Sequence, residues 1–571
     1  MDKDSTDAQP EAEAPSQPIA QEEAKHERQA KAGGRRVNHP SVDERREKGR
    51  LACAKTPPSV LAGWTAGPDR ADPVGLLEGQ ESSRVQPLVP VRHQRMSASA
   101  FAFYRGGALL MAADLATTPN TGLAVQLCGD AHLSNFGLFA APDRTVIFDV
   151  NDFDETHPGP FEWDVKRLAT SFVLAARDNG LDDSVGRAAA ETAAASYRTS
   201  MADFSQMTEL DIWYDRIDST GVLAALQEGL AEADAVDLGS AAKGKAGKKS
   251  KKDKKDKKAK DKKGKAKKDK KGKAKKDKVA TKAGKKVDKL VTPEKAVTKA
   301  VARAQARDAW SAIEKLTEVV DGRRQFRDDP PLLIRTGLSD ELQGVLNTLF
   351  RQYRATLQDD RRSLLKRYQI IDFGHKVVGV GSVGLLAFVM LMQGRDEDDL
   401  MVLQVKQAQA SVLEAYTSKS VFSKHGHRVV TGQRLMQAAS DSFLGWIDGP
   451  SGRGFYIRQL RDMKWSPDPA SLGEKQLIAF ASLCGHTLAR AHARSGDAVA
   501  ISTYLESDTT FDAAIGKFAM SYADTAAEDY EAFMSAIASG RLDAHEGSSG
   551  VEAKEAIESL RGPALKAAGL A

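Results

Sequence analysis

Cysteine is scarce: Cys53, Cys128 and Cys484 are the only three in 571 residues, and their wide spacing matches neither a disulfide framework nor a zinc motif. Long apolar runs are missing as well. The longest, Val383 to Met392 with one glycine inside, is about half of what a helix needs to cross a bilayer, which argues against a membrane-spanning protein. The first twenty residues are acidic, rich in Pro and Gln, and lack an apolar h-region, so no secretory signal is expected. A reduced, cytoplasmic protein without a membrane partner follows as the expectation.

With 41% hydrophobic residues the chain can bury a sizeable core, and its length suits more than one domain. The net charge of +5 conceals an asymmetry, because residues 241–290 hold 26 Lys and 6 Asp, leaving 57 Lys and Arg against 72 Asp and Glu elsewhere. The body is therefore acidic, and any affinity for nucleic acid or another polyanion belongs to that one segment. It contains a short echo, GKAKKDKK followed by GKAKKDKV, and almost nothing apolar, so repulsion is expected to keep it extended and solvated.

Elsewhere the pattern alternates. Helical spacing is expected over Ser97–Ala116, from Pro160 to Ala176, over Ala188–Met201 and Gly221–Ala233, from Pro293 to about Val320, and from Ser339 to about Leu357. Short strands are expected at Leu123–Cys128 and Thr145–Val150. From Lys366 the texture turns to β, with strands expected at Arg367–Phe373, Lys376–Val380, Val383–Met392 and Leu400–Lys406, and again at Gly454–Leu460 after a helix near Gly432–Ala439. Helices at Leu472–His492 and Phe511–Ile537 complete the chain.

The densest polar cluster is Gly129-Asp130-Ala131-His132-Leu133-Ser134-Asn135, followed by Asp149-Val150-Asn151-Asp152-Phe153-Asp154-Glu155. Each run follows an expected strand, and strand ends are where side chains from separate elements converge. An Asp, an Asn five positions later and an Asp after a second strand suit phosphoryl transfer: Asp130 accepts the hydroxyl proton, while Asn135 and Asp152 hold magnesium, with Asp154 close by in the metal set. The plainer alternative is that these are turn residues. Crowded carboxylates repel without a cation, which favours the first reading.

CGDAHLSNFG followed by IFDVNDFDE resembles the catalytic and metal loops of the aminoglycoside-phosphotransferase branch of the protein-kinase-like superfamily. The resemblance implies Asp130 as base, Asn135 and Asp152 as magnesium ligands, His132 as loop support, and Asp164 in WDVKRLA as the brace of the catalytic loop. Cys128 departs from the usual first His. The stretch from RMSASAFAFYRGGALLM to GPFEWDVKRLATS is also similar to a bacterial family catalogued as domain of unknown function 2252. That likeness covers most of the chain outside the tail and the Lys-rich insert.

A kinase-like enzyme also needs a phosphate-covering loop and a lysine. Gly379-Val380-Gly381-Ser382-Val383-Gly384 is a G-x-G-x-x-G between expected strands, and Lys406 ends a later strand. Glycines let amides approach phosphates and the lysine adds a point charge, although turns between strands also use glycine for steric reasons alone. The partner of Lys406 is either Glu414 or Gln433. Backbone groups near Gln459 and Leu460 are expected to meet an adenine edge. Arg92, Arg95 and Arg105 flank the first helix, as phosphate contacts or as ordinary surface groups; His486 and His492 read as packing residues and His157 as a turn residue.

Catalytic and metal loops precede the glycine turn, lysine, hinge strand and following helix, the reverse of the usual grouping, which implies a circular permutation. The expected fold is α+β: a bilobal protein-kinase-like fold with a helix-rich large lobe and a small antiparallel β lobe. Its expected parts are a disordered tail at 1–45, the two loops with helices at 46–235, a Lys-rich insert at 236–292, a helical segment at 293–365, the nucleotide-binding β lobe at 366–465 and the remaining helices at 466–571. The expected function is ATP- and Mg-dependent phosphotransfer to a small-molecule or protein hydroxyl acceptor, nucleotidyl transfer being left open. Two alternatives are a metal-dependent phosphoesterase and an inactive nucleotide-binding protein whose insert recruits a polyanion.

Overall fold

The computed structural model describes residues 39–222, 224, 293–305, 309–330, 332–377, 379–449, 452–460, 463–506 and 509–545. The Lys-rich insert, most of the expected tail and most of the helix expected at Gly221–Ala233 lie outside the described residues. Described structure begins ahead of the expected boundary at 45: Ser41 caps a helix over Val42–Lys55, accepting from the Glu44 amide while Glu44 accepts from the Ser41 amide. The helix expected over Ser97–Ala116 is two, Ala100–Gly106 and Ala108–Leu115, joined at Gly107.

Four short strands follow: β1 (Ala124–Leu127), β2 (Phe136–Ala140), β3 (Val146–Val150) and β4 (His157–Pro160). β1 pairs antiparallel with β4 and β2 with β3, so the polar loops 128–135 and 151–156 leave neighbouring strand ends. Helix α1 (Phe161–Asp178) then starts after Pro160. It is buried on nearly every side, not along a stripe alone, as a helix inside a bundle must be. Helix α2 (Asp183–Phe204) packs beside it, and β5 (Ile217–Asp218) adds to β3.

Past the insert, the helical pattern expected to reach Val320 stops at Leu316, because Thr317, Val319 and Val320 enter β6 (Thr317–Val320). An Asp321-Gly322 turn with positive φ at both residues leads to β7 (Arg323–Phe326). β8 (Leu333–Arg335), helix α3 (Asp340–Ala355), β9 (Gln369–Lys376), β10 (Ala387–Gln393), β11 (Leu400–Ala408), helix α4 (His425–Met436), β12 (Gly445–Asp448) and β13 (Gly454–Gln459) come next. Their six-stranded sheet runs β12-β13-β11-β10-β9-β8 and is antiparallel throughout. Leu346 and Phe350 of α3 pack on one face against Phe373, Phe388 and Phe455. Ile313 and Phe326 cover Val389, Leu391 and Val402 on the other. Burial on both faces explains why β10 and β11 read as continuous apolar runs.

Helices α5 (Glu474–Ala493) and α6 (Thr510–Ala538) close the second core around α1, α2 and the β1–β4 strands. The architecture is mixed α+β with antiparallel sheets. Among the described residues no helix is long and apolar enough to cross a membrane.

Candidate active site

The loop after β1 is held by its backbone before any side chain acts. Gly129 has φ +80°, and a Cβ there would lie 2.3 Å from the Glu155 carbonyl, so only glycine lets the loops after β1 and β3 approach this closely. Asp164 of α1 accepts the amides of Cys128 (2.7 Å) and Gly129 (3.1 Å) and lies 3.3 Å from His492 Nε2. Asn135 Nδ2 donates to the Asp130 carbonyl at 2.8 Å, and the Asn135 carbonyl accepts the Asn151 amide at 2.8 Å, joining the two loops.

Asp130 accepts from Arg167 Nε at 2.6 Å, and its other oxygen lies 3.7 Å from His132 Nε2. Burial raises the Asp130 carboxyl above the usual range, with Arg167 pulling it back. Burial and the guanidinium groups of Arg105 and Arg167 hold His132 well below its usual pKa, hence neutral. Arg167 also donates to the Tyr104 carbonyl (3.0 Å) and lies 4.4 Å over the Tyr104 ring.

Lys406 projects from β11, where it is paired across the sheet with Ala387 and Tyr456. Its ammonium forms an ion pair with Asp154 and lies 3.9 Å from Asp152. Burial would lower the lysine, but those two carboxylates outweigh it and raise its pKa. Burial pushes Asp152 up; the charges of Lys406, Arg458 and Lys464 prevail and hold it at about 2, so it is ionised. Residues some 250 positions apart thus meet at one point.

Several expectations change here. Glu414 does not reach Lys406: it lies in the Ser411-capped turn Val412–Ala415, and Oε1 accepts the Ser420 amide at 3.1 Å. Gln433 of α4 bonds to Gln437 instead (2.9 Å). Helix α4 carries no acidic residue, so the carboxylate for the lysine comes from the acidic loop. Asp154, expected among the magnesium ligands, has both oxygens engaged, one by Tyr456 (2.8 Å) and the other by Lys406 and Ser382 (3.1 Å). The strand expected at Lys376–Val380 is not seen among the described residues; β9 ends at Lys376, ahead of the glycine turn. The amides of Gln459 and Leu460 are spent on Asp441 and on the Val402 carbonyl, which removes them as donors to an adenine edge.

In the glycine turn, Gly379 and Gly384 have φ +71° and +89°. The turn is held from outside by Arg84 on the Val383 carbonyl (2.6 Å), Arg95 on the Gly379 carbonyl (2.5 Å) and the Val85 amide on the Gly384 carbonyl (2.8 Å). Gly381 faces the Arg105 carbonyl, where a Cβ would sit at 3.4 Å, an ordinary contact. Arg92 instead pairs with Glu81 in the core, and Arg105 lies close enough to Asp130 for their charges to interact. Sequence reasoning missed Arg428 of α4, which donates to the carbonyls of Asp154 (2.7 Å) and Gln409 (2.8 Å) and fixes the acidic loop. Its only signal was an arginine in an otherwise apolar helical stripe. His157, His486 and His492 are all bonded within the protein, to the Ser418 carbonyl, Ser200 and Tyr197.

Asp152, Gly379, Ser382 and Lys406 line a cavity of about 910 Å³. Asp130 and Asn135 are not among its lining residues. Seven cationic residues, Arg144, Lys315, Arg361, Lys376, Lys406, Arg458 and Lys464, face two carboxylates, Asp152 and Asp441, around it. Such a cleft concentrates anions and suits a phosphate-rich ligand. Among the described residues no three His, Cys, Asp or Glu side chains gather as a metal site. Of the expected magnesium ligands, ionised Asp152 lines the cavity and Asn135 is joined to the acidic loop through the Asn151 amide; magnesium needs no more than one or two protein ligands and fills its shell with phosphate and water.

The antiparallel sheet, the helical body and a cationic cleft that Asp152 and Lys406 both line make this a mixed α+β protein with an anion-attracting site. The chain belongs to the family described as "Uncharacterized protein conserved in bacteria (DUF2252)", whose model matches residues 84–293 and 265–536. No curated protein and no solved structure matches it.

Proposed function

We propose that the protein is an ATP-dependent phosphotransferase acting on a hydroxyl acceptor, with a bilobal kinase-like fold in circularly permuted order. The observation that carries this reading is the meeting of Lys406, beside a glycine turn, with the acidic loop after β3. In kinases a glycine loop joins the first two strands, the lysine lies on the third and a helix follows. β9, the glycine turn, β10, Lys406 on β11 and then α4 agree with that order.

Lys406 would neutralise phosphate oxygens, and the turn amides would approach them because Gly379 and Gly384 supply the required φ. Asp152 and Asn135 would hold a magnesium ion, which when bound supplies charge neutralisation on the transferring group. Asp130 would take the acceptor proton; burial makes its carboxylate a better base, and Arg167 keeps it aimed. Asp164 acts through the loop, as a positioning residue.

The test is incubation of the full chain with ATP labelled at either the α or the γ phosphorus, in the presence of cell extract. Transfer of the γ label, lost in both Asp130→Ala and Asp152→Ala, is expected. Full transfer in both variants would remove the assignment.

A further inference from the structure

The helix over Ala100–Gly106 ends at the glycine turn, where the Arg105 carbonyl faces Gly381. The Arg105 side chain belongs to the loop after β1. Its guanidinium carbon lies 5.9 Å from the centroid of the Phe101 ring, and that ring packs edge-on against His132 with centroids 6.4 Å apart. Arg105 is close enough to Asp130 and His132 for its charge to act on both, and so is Asp152. One arginine thus spans from the glycine turn to the candidate base and shares its charged surroundings with Asp152.

Arg105 differs from its neighbours in what it lacks. Arg84, Arg92, Arg428 and Arg490 also bury an Nε that has no hydrogen-bond partner, yet each bonds through a terminal nitrogen, to the Val383 carbonyl, Glu81, the Asp154 carbonyl and Asp149 respectively. Arg105 buries its Nε in the same way, and among the described residues none of its nitrogens is hydrogen-bonded or ion-paired. Asp130 does not fill that place, because its Oδ1 accepts from Arg167 and its Oδ2 faces His132 Nε2 at 3.7 Å. A guanidinium drawn out of water without a partner is costly, and its planar fork of donors matches the oxygens of a phosphoryl group. The terminal nitrogens are not sealed off, so a ligand can reach them.

We propose that Arg105 is a catalytic residue whose guanidinium binds the phosphoryl group while that group is in transfer. This rests on the phosphotransferase reading and deepens it. In the step, the acceptor hydroxyl gives its proton to Asp130 and its oxygen bonds to the γ phosphorus. The bond from that phosphorus to the oxygen bridging it to the β phosphorus breaks, and the electron pair leaves on ADP. Charge is then spread over the three equatorial oxygens of the transferring group, and Arg105 donates to them at that stage. The two arginines divide the work: Arg167 aims the base, and Arg105 takes the group that moves.

Calorimetric titration of the full chain with MgADP, alone and with fluoroaluminate as a stand-in for the phosphoryl group in transfer, tests this. The wild type is expected to bind MgADP more tightly when fluoroaluminate is present. Arg105→Gln is expected to lose about a hundred-fold in affinity for the combination, and Arg105→Lys less, since it keeps the charge and loses the fork. Both variants are expected to bind MgADP alone as the wild type does, because ADP lacks the group that Arg105 holds. Equal gain from fluoroaluminate in the wild type and Arg105→Gln overturns the proposal, as does no gain in the wild type. A matching loss of affinity for MgADP alone overturns it too, since Arg105 would then hold the nucleotide and not the moving group. Should Arg105→Gln melt below the wild type, Arg105→Lys decides by the same comparison. If the wild type binds MgADP and the variants keep the full gain, this inference alone falls; if the wild type binds neither MgADP nor MgATP, the phosphotransferase reading falls and takes this one with it.

Discussion

Asp149 and Asp152 lie three positions apart in one acidic run, and the structure gives them opposite tasks. Asp149 is fully buried in an ion pair with Arg490 of α5, itself fully buried, and its second oxygen accepts the Ala438 amide at 2.9 Å. Replacing it by Ala leaves a guanidinium in the core without its counter-charge and an amide without its acceptor. Breaking a buried pair from one side costs about 3–5 kcal/mol. At this chain length a loss of 1 kcal/mol moves the melting temperature by about 1 °C, so Asp149→Ala is expected to melt about 3–5 °C below wild type. Removing both partners, as in Asp149→Ala with Arg490→Met, should recover part of that loss, because no bare charge remains. Asp152 is a third exposed toward the cleft, so Asp152→Asn should melt within about 2 °C of wild type while losing ATP-dependent transfer. Scanning calorimetry reads all three. The reasoning fails if Asp149→Ala melts like wild type, or if the double variant is less stable than the single one.

Other outcomes follow from the same geometry. Gly129→Ala forces a Cβ against the Glu155 carbonyl at a positive φ and should cost at least about 2 kcal/mol, with loss of nucleotide binding, by calorimetry and titration. Asp164→Asn keeps the size of the side chain and replaces one acceptor by a donor facing the Cys128 and Gly129 amides; it should lower the rate of transfer at saturating ATP more than it changes ATP affinity. Burial holds His375 at about 4, below its unfolded value near 6.5, so the neutral ring favours the folded state above pH 6.5, and that contribution is lost as pH falls toward 4. His375→Phe should flatten the melting temperature across that window; an unchanged slope would refute the attribution. Glu155 is pushed up to about 7 by burial, so its carboxyl holds a proton that the unfolded chain releases near 4.5. Stability should fall as pH rises from about 4.5 to 7, and Glu155→Gln should remove that fall.

The two polar loops were legible because each chemistry-bearing run directly follows a short apolar strand, and Lys406 because it closes another. The partner of Lys406 was not. Spacing pointed forward along the chain to Glu414 or Gln433, whereas the ammonium pairs with Asp154, 252 positions earlier, where no local pattern reaches. Helix α1 shows a related limit. Glu162, Asp164, Lys166 and Arg167 interrupt its apolar stripe and so look like a solvated face, yet all four are buried. Each has a partner elsewhere: Thr121, the Cys128 and Gly129 amides, the Phe518 ring and Asp130. Periodicity reports polarity, and it cannot distinguish a charge facing water from one holding a loop.

Taken alone, the order of residues determined which stretches form strands and helices over most of the described chain, where glycine is needed for backbone shape, and which acidic run lies beside which strand. These are local properties, set by side-chain size, branching and backbone freedom within a few positions. Only tertiary structure decided that Asp149 is a core ion-pair member while Asp152 faces the cleft, that residues 84–105 hold the glycine turn, and that the β13 wall is cationic with its amides already spent. Those assignments depend on which distant group lies within about 3 Å, the range over which a hydrogen bond or a buried charge pair acts.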